Sequence, residues 1–213
     1  MVNMRGTEAD FMDRNDPHGY VLQGAPWGSG VRPFRALFDL GMRETDDVLD
    51  YGCGSLRVGR FLIMYLDAGH YYGIEPSRWA VQEGLKEIGS IGQTKAPQFK
   101  HQKSYATFDA GLFGPGQLFD WVLFSGVLTH MDHAQLRSSL YTAAKVLKPG
   151  GRIVGSYLPQ GPDHEGEGWL YPQQAPHYWS CLKTAIANTP LRLREIDVPG
   201  DPAQWFDAWF EAR

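Results

Sequence analysis

The segment Val48-Leu-Asp-Tyr-Gly-Cys-Gly54 constrains the fold of this chain more than any other. A short apolar run stops at two glycines, and Arg57–Leu66 follows with Val58, Phe61, Leu62 and Tyr65 spaced for one helical face. Strand, glycine turn and helix in that order make the first half of a parallel crossover unit. The alternation then repeats. His70–Ile74 reads as a second strand, Arg78–Ile88 as an amphipathic helix, Gln98–Lys103 as a third strand and Phe119–Phe124 as a fourth. Leu136, Leu140, Ala143, Ala144 and Leu147 share one side of a helix over Ala134–Leu147. Lys148-Pro-Gly-Gly151 is expected to end that helix, because proline cannot continue it and glycine accepts a left-handed cap. Arg152–Tyr157 is the fifth strand. Strands alternating with helices predict an α/β fold with a doubly wound, mostly parallel sheet covered on both faces.

Beyond Tyr157 the rhythm changes. Leu158–Pro176 is rich in glycine and proline and too long for an idle loop, so a substrate lid is expected over residues 158–176. Pro176–Asn188 reads as helical, and Leu191–Ile196 with Gln204–Phe210 as two strands joined by Pro199-Gly-Asp-Pro202, an antiparallel C-terminal edge. No internal boundary is visible, so residues 1–213 read as a single domain. Acidic residues exceed basic ones by 24 to 20, a net charge of −4 with no basic run. That weighs against nucleic acid or an anionic membrane as partner, since both demand clustered Lys and Arg. There is no apolar stretch of about twenty residues, and Met1–Asp16 lacks the apolar core of a secretion signal. Two cysteines, Cys53 and Cys181, are too few for a disulfide framework or a zinc cluster. A cytoplasmic protein is therefore the expectation.

The glycine turn is also where ligands bind in doubly wound sheets, because it lies at the carboxyl end of the first strand beside the point where strand order reverses. With no Cβ at Gly52 or Gly54, backbone and ligand can approach closely. Glu75 ends the second strand 75 − 52 = 23 residues later, placed to accept both hydroxyls of a ribose. Nicotinamide enzymes share these features, but their Gly-x-Gly-x-x-Gly pattern needs a third glycine where this chain has Arg57. A bulky residue there hinders a diphosphate from reaching the helix N-terminus, and Asp50 adds negative charge under the turn. A sulfonium ligand with a free amino group suits that turn better than a diphosphate. A tight turn with no ligand is the bland alternative.

Four ordered stretches, Val48-Leu-Asp-Tyr-Gly-Cys-Gly-Ser55, Gly73-Ile-Glu-Pro-Ser77, Phe119-Asp-Trp-Val-Leu-Phe-Ser125 and Val146-Leu-Lys-Pro-Gly-Gly151, resemble the motifs of class I S-adenosylmethionine-dependent methyltransferases. The resemblance covers roughly Val31–Tyr157 and the closing strand pair. It implies a seven-stranded sheet, S-adenosylmethionine as cofactor and direct in-line methyl transfer. By position it puts Asp50 near the methionine amino group, and Tyr51, Gly52, Cys53 and Gly54 in the cofactor turn. It puts Glu75 on the ribose, Pro76 on the adenine face, and Ser125 and Gly126 at the methyl end. The usual adenine-binding acid is replaced here by Gln102-Lys103-Ser104-Tyr105, with Ser104 the chosen contact. Residues 1–30 would cover the cofactor, Tyr20 among them touching substrate.

Methyl transfer asks a protein mainly for alignment, plus a base where the acceptor is protonated. His130, in Val127-Leu-Thr-His-Met131 after the fourth strand, is the chosen general base; a brace for the next helix is its alternative role. That run is similar to a pattern in a branch of the family associated with glycan and secondary-metabolite modification, which implies a sugar or natural-product hydroxyl as acceptor. His133 is the second catalytic expectation, beside its reading as a solvent-facing residue on a helix capped by Asp132. His164, Glu165, Trp169 and Tyr171 in the lid would contact substrate. A metal held by His130, His133, Asp132, His164, Glu165 and Glu167 is a sharper alternative, but the spacing matches no ligand signature, so no metal is expected. Arg57 would pair with the methionine carboxylate or, the favoured reading, lie on a solvated helix face. Trp205 and Trp209 read as core, and Cys53 as a small turn residue rather than a nucleophile. Competing functions are nitrogen or carboxylate methylation of a small molecule, a catalytically silent cofactor-binding module and a nicotinamide oxidoreductase. A homodimer is compatible with all of them.

Overall fold

Short apolar runs such as Val48–Tyr51 and Phe119–Phe124 are buried along almost their whole length, so both of their faces must be covered. The computed structural model of the chain describes residues 26–102, 111–159, 164, 166–170 and 173–210. Its strands are β1 (Val48–Tyr51), β2 (Tyr71–Ile74), β3 (Gln98–Lys100), β4 (Phe119–Phe124), β5 (Leu147–Tyr157), β6 (Leu191–Ile196) and β7 (Gln204–Phe210). They form one seven-stranded sheet in the order β3-β2-β1-β4-β5-β7-β6. The first five are parallel, and β7 runs antiparallel between β5 and β6, the mixed sheet with an antiparallel edge that the sequence predicts.

Six helices flank the sheet among the described residues: α1 (Pro26–Asp39), α2 (Gly59–Tyr65), α3 (Arg78–Ile88), α4 (Ser90–Thr94), α5 (His133–Lys145) and α6 (Trp179–Ile186). One face packs Leu49, Tyr51, Val122 and Phe124 under Leu136, Leu140 and Leu182 of α5 and α6. The other packs Val48, Tyr71 and Leu123 under Leu37, Leu62 and Val81 of α1, α2 and α3. Neighbouring residues of a strand point to opposite faces, so Val48 and Asp50 share the α1–α3 side. Trp205 is buried on that side, while Trp209 is half-buried with the guanidiniums of Arg152 and Arg194 5.9 Å and 5.2 Å from its ring centre. No helix among the described residues is long and apolar enough to cross a membrane.

Several element limits differ from expectation for identifiable reasons. Leu147–Gly151 joins β5 instead of closing the preceding helix, which stops at Lys145. Lys148 is pinned there by Asp47 at 2.7 Å and Asp120 at 2.6 Å. The register against β4 slips between Phe119 and Trp121, which accommodates the proline and glycines. The helix after the first turn begins at Gly59 rather than Arg57, β3 ends at Lys100, and α6 begins at Trp179 rather than Pro176. Helices α1 and α4 lie where no helix was expected.

Candidate active site

Between β1 and α2 the backbone turns with φ of 77° at Gly52 and 53° at Gly54, values that favour glycine. Gly52 and Cys53 donate their N–H groups to the Ile74 carbonyl at 2.8 Å and 3.1 Å, which ties the turn to β2. Glu75 follows Ile74 directly and is 1% exposed. Its carboxylate accepts from the Gly54 N–H and the Ser77 N–H, both at 3.0 Å, and so faces the bend. Ser77 then caps α3 by accepting from the Ala80 N–H. The same backbone that ends β2 thus sets the carboxylate and starts the helix. Pro76 is half-buried beside them.

Asp50 points to the α2 side of β1, fully inside the protein. Burial is the main reason its carboxyl is pushed up from about 4 to about 7, and nearby Glu75 adds to the rise. A hydrogen bond from the Tyr71 hydroxyl at 2.9 Å and the charge of Arg57 act in the opposite direction. Tyr71 reaches Asp50 only because position 59 is glycine: a Cβ there would stand 2.4 Å from the Tyr71 oxygen. Cys53 is buried beside this acid, and burial raises its thiol well above the ordinary range, so it packs rather than reacts. Tyr51 turns its ring into the core, 5.2 Å from Phe124, and only its backbone belongs to the turn.

Arg57 is not on a solvated helix face. It precedes α2, is half-buried, and sends Nη2 to within 3.4 Å of the Ser125 hydroxyl at the end of β4. Gly126, with φ of 72°, leaves room for it, since a Cβ there would lie 3.0 Å from that nitrogen. Asp50 and Asp201 both favour its positive charge against burial. The guanidinium therefore spans the strand-order reversal between β1 and β4, beside an acid on one side and a hydroxyl on the other.

The loop after β4 contains a short 3₁₀ turn, Leu128–His130, and Asp132, which caps α5 in a reciprocal capping box with Gln135. The described residues between Gly166 and Pro176 lie along this loop. Leu170 donates to the His130 carbonyl at 2.9 Å, Ala175 to the Thr129 carbonyl at 2.6 Å, and Gly168 to the Asp132 carboxylate. Trp169 packs on the His130 ring with centroids 5.5 Å apart. His130 Nδ1 lies 2.7 Å from the Gln173 carbonyl, which fixes the proton on Nδ1 and the lone pair on Nε2 in the neutral ring. Burial lowers its pKa below 6.5, keeping that neutral form at neutral pH. His133 sets its ring edge-on to His177 at 5.1 Å and lines the groove between α5 and α6. His164 lies half-buried near Pro176, to whose carbonyl its N–H donates. Tyr20, Ser104, Glu165 and Tyr171 lie outside the described residues. Among the described residues, no three His, Cys, Asp or Glu side chains come together so as to hold a metal ion.

Three residues important to the site carry no signal in the sequence. Tyr71 reads as a strand residue, yet it is the hydrogen-bond partner of Asp50. His101, just past β3, approaches the Glu75 carbonyl at 2.7 Å. Arg60 lies off the face marked by Val58, Phe61, Leu62 and Tyr65, yet it is completely buried behind the turn. Only the small residue at 59, opposite a tyrosine in the next strand, could have hinted at the first.

Residues 49–153 match the family model described as a methyltransferase domain. Among solved structures, the chain is similar to magnesium protoporphyrin IX methyltransferase (ChlM) from Synechocystis PCC 6803 with bound SAM, at 15% identity and a TM-score of 0.66, covering 93% of this chain and 90% of that one. It is similar to the DhpI–SAH complex, at 13% identity and a TM-score of 0.68, covering 97% and 96%. It is also similar to the glycopeptide N-methyltransferase MtfA complexed with (S)-adenosyl-L-methionine, at 12% identity and a TM-score of 0.65, covering 86% and 95%.

Proposed function

We propose that this chain, which has the fold of class I S-adenosylmethionine-dependent methyltransferases and matches a methyltransferase-domain model over residues 49–153, methylates a small polar acceptor, a hydroxyl of a sugar or natural product. The observation that carries this reading is the Glu75 carboxylate, clamped by the Gly54 N–H against the glycine turn, with Asp50 between the charges of Glu75 and Arg57. The residues present fit the group. Glu75 would bind the ribose diol, Asp50 the amino group and Arg57 the carboxylate of the methionine moiety, a buried acid and base matching a zwitterion. Bound S-adenosylmethionine supplies a methyl already activated on a sulfonium. What the protein adds is alignment of the acceptor with that methyl, exclusion of water and removal of a proton.

His130 is the proposed base. Its Nε2 lone pair and depressed pKa leave it ready to take the acceptor's proton at neutral pH, and Trp169 beside it would form an apolar wall for the acceptor. Val127–Met131 supports a hydroxyl acceptor through the branch it resembles. An amine is the second reading, favoured by likeness to a glycopeptide N-methyltransferase. No nucleic-acid, membrane or metal partner enters the proposal.

Calorimetry with S-adenosylmethionine and with its demethylated product tests the cofactor assignment, and binding of neither would sink it. Transfer of labelled methyl to panels of sugar hydroxyls, amines and carboxylates then selects the acceptor, and labelling of amines alone would replace the hydroxyl reading.

A further inference from the structure

A completely buried arginine is costly unless each face and donor of its guanidinium finds a partner. Arg60 of α2 has no exposed surface and is held on all sides. Its Nε donates to the Leu56 carbonyl at 2.9 Å and its Nη2 to the Ser55 carbonyl at 3.2 Å, the last two carbonyls of the glycine turn before Arg57. Its Nη1 forms a 2.6 Å ion pair with Glu87 of α3. Trp27 of α1 lies on the guanidinium, 4.7 Å from ring centre to the central carbon. Three separate elements therefore meet on one side chain directly behind the bend.

The bend has reason to need such a hold. Leu56 adopts a left-handed conformation with φ of 59°, which an ordinary side chain rarely occupies unless its surroundings impose it. Helix α3 packs on the first of these carbonyls: a Cβ at Gly84 would stand 2.4 Å from the Ser55 oxygen. Helix α1 packs closely too: a Cβ at Gly30 would stand 2.0 Å from the Arg57 oxygen.

We propose that Arg60 is a positioning residue for the cofactor turn: by holding the Ser55 and Leu56 carbonyls while carrying Trp27 on its face, it makes docking of α1 and the ligand-ready shape of residues 52–56 a single event. A lysine retains the charge but cannot reach two carbonyls and a carboxylate in one plane. The inference rests on the cofactor reading for its functional consequence and on backbone geometry for its physical content.

The test uses the full chain. In Arg60→Lys, amide exchange at Gly54 and Leu56 of the unliganded protein should accelerate at least tenfold while the amides of β4 keep their protection, and the Kd for S-adenosylmethionine should rise at least tenfold. Trp27→Leu, at a position 48% exposed and therefore tolerant, should raise that Kd three- to tenfold with faster exchange at the same two amides. A purely structural arginine would lower the melting temperature and leave the Kd of the folded protein alone. If both variants fold and bind within twofold of the parent, the positioning role is overturned; if Arg60→Lys does not fold, Trp27→Leu decides. A parent that binds no S-adenosylmethionine removes the cofactor reading, and the exchange of Gly54 and Leu56 then settles by itself whether Arg60 holds the turn.

Discussion

At the scale of single residues, the site depends on groups held against their ordinary preferences. Asp50 keeps a proton in the fold up to about pH 7 that the unfolded chain releases near pH 4. Its contribution to stability therefore declines as pH rises from about 4 to about 7 and is level above that. Asp50→Asn should abolish this decline, so urea midpoints of parent and variant measured at pH 5 and pH 8 should differ by unequal amounts, the parent faring relatively better at pH 5. Only the carboxylate attracts an amino cation, so cofactor binding near pH 6 should expel a proton, readable by calorimetry in buffers of different ionisation heat. Glu75→Gln should weaken cofactor binding by about 1.5–3 kcal/mol through lost charge-assisted hydrogen bonds, and an unchanged Kd would refute its assignment. For His130 the base must be neutral, so kcat/KM should rise with pH through a pKa below 6.5; His130→Asn should lower kcat by about 10²–10⁴-fold. The bare turn at Gly52 and Gly54 and the acid facing it at Glu75 were legible because residue type and spacing alone set that arrangement. Arg57, Tyr71 and Arg60 were not, because each owes its role to contacts between segments distant in the chain.

Among elements, the strands with continuous apolar runs were plain in the sequence, and those with competing signals were not. Helix α1 contains Gly28, Gly30 and Pro33, each a reason to reject a helix on propensity, yet Gly30 is what lets it lie against the Arg57 carbonyl. Gly30→Ala should therefore detach α1 from the turn, seen as loss of protection in 26–39 and a raised cofactor Kd, whereas Gly28→Ala, with nothing within 4 Å of the new Cβ, should leave both unchanged. Lys148–Gly151 misled in the other direction. Its proline and glycines spell a helix stop, but the ion pairs of Lys148 and the bulge in β5 draw the segment into the sheet. The segment after β5 was legible as a long loop, and its resting place was not, because main-chain hydrogen bonds to residues 129 and 130 leave no mark in composition.

The whole molecule separates its candidate site from its anchoring end. The glycine turn, Glu75, Ser125 and His130 cluster where the parallel strands finish, while Asp47, Asp120, Lys148 and His70 join the strands where they begin. Lys148→Met should lower stability by about 1–2 kcal/mol, between an exposed pair and a charged hydrogen bond, without altering cofactor affinity; a changed Kd would mean that the two ends communicate. Strand order carries one more consequence. Because β7 is made after β6 but slots inside it, a growing chain that has passed Ile196 still leaves the outer rim of β5 bare. During synthesis that rim is a sticky template for any other extended peptide. Arrest of translation before Gln204 should thus yield nascent chains that recruit chaperones or clump, even though every cofactor-facing strand has already left the ribosome.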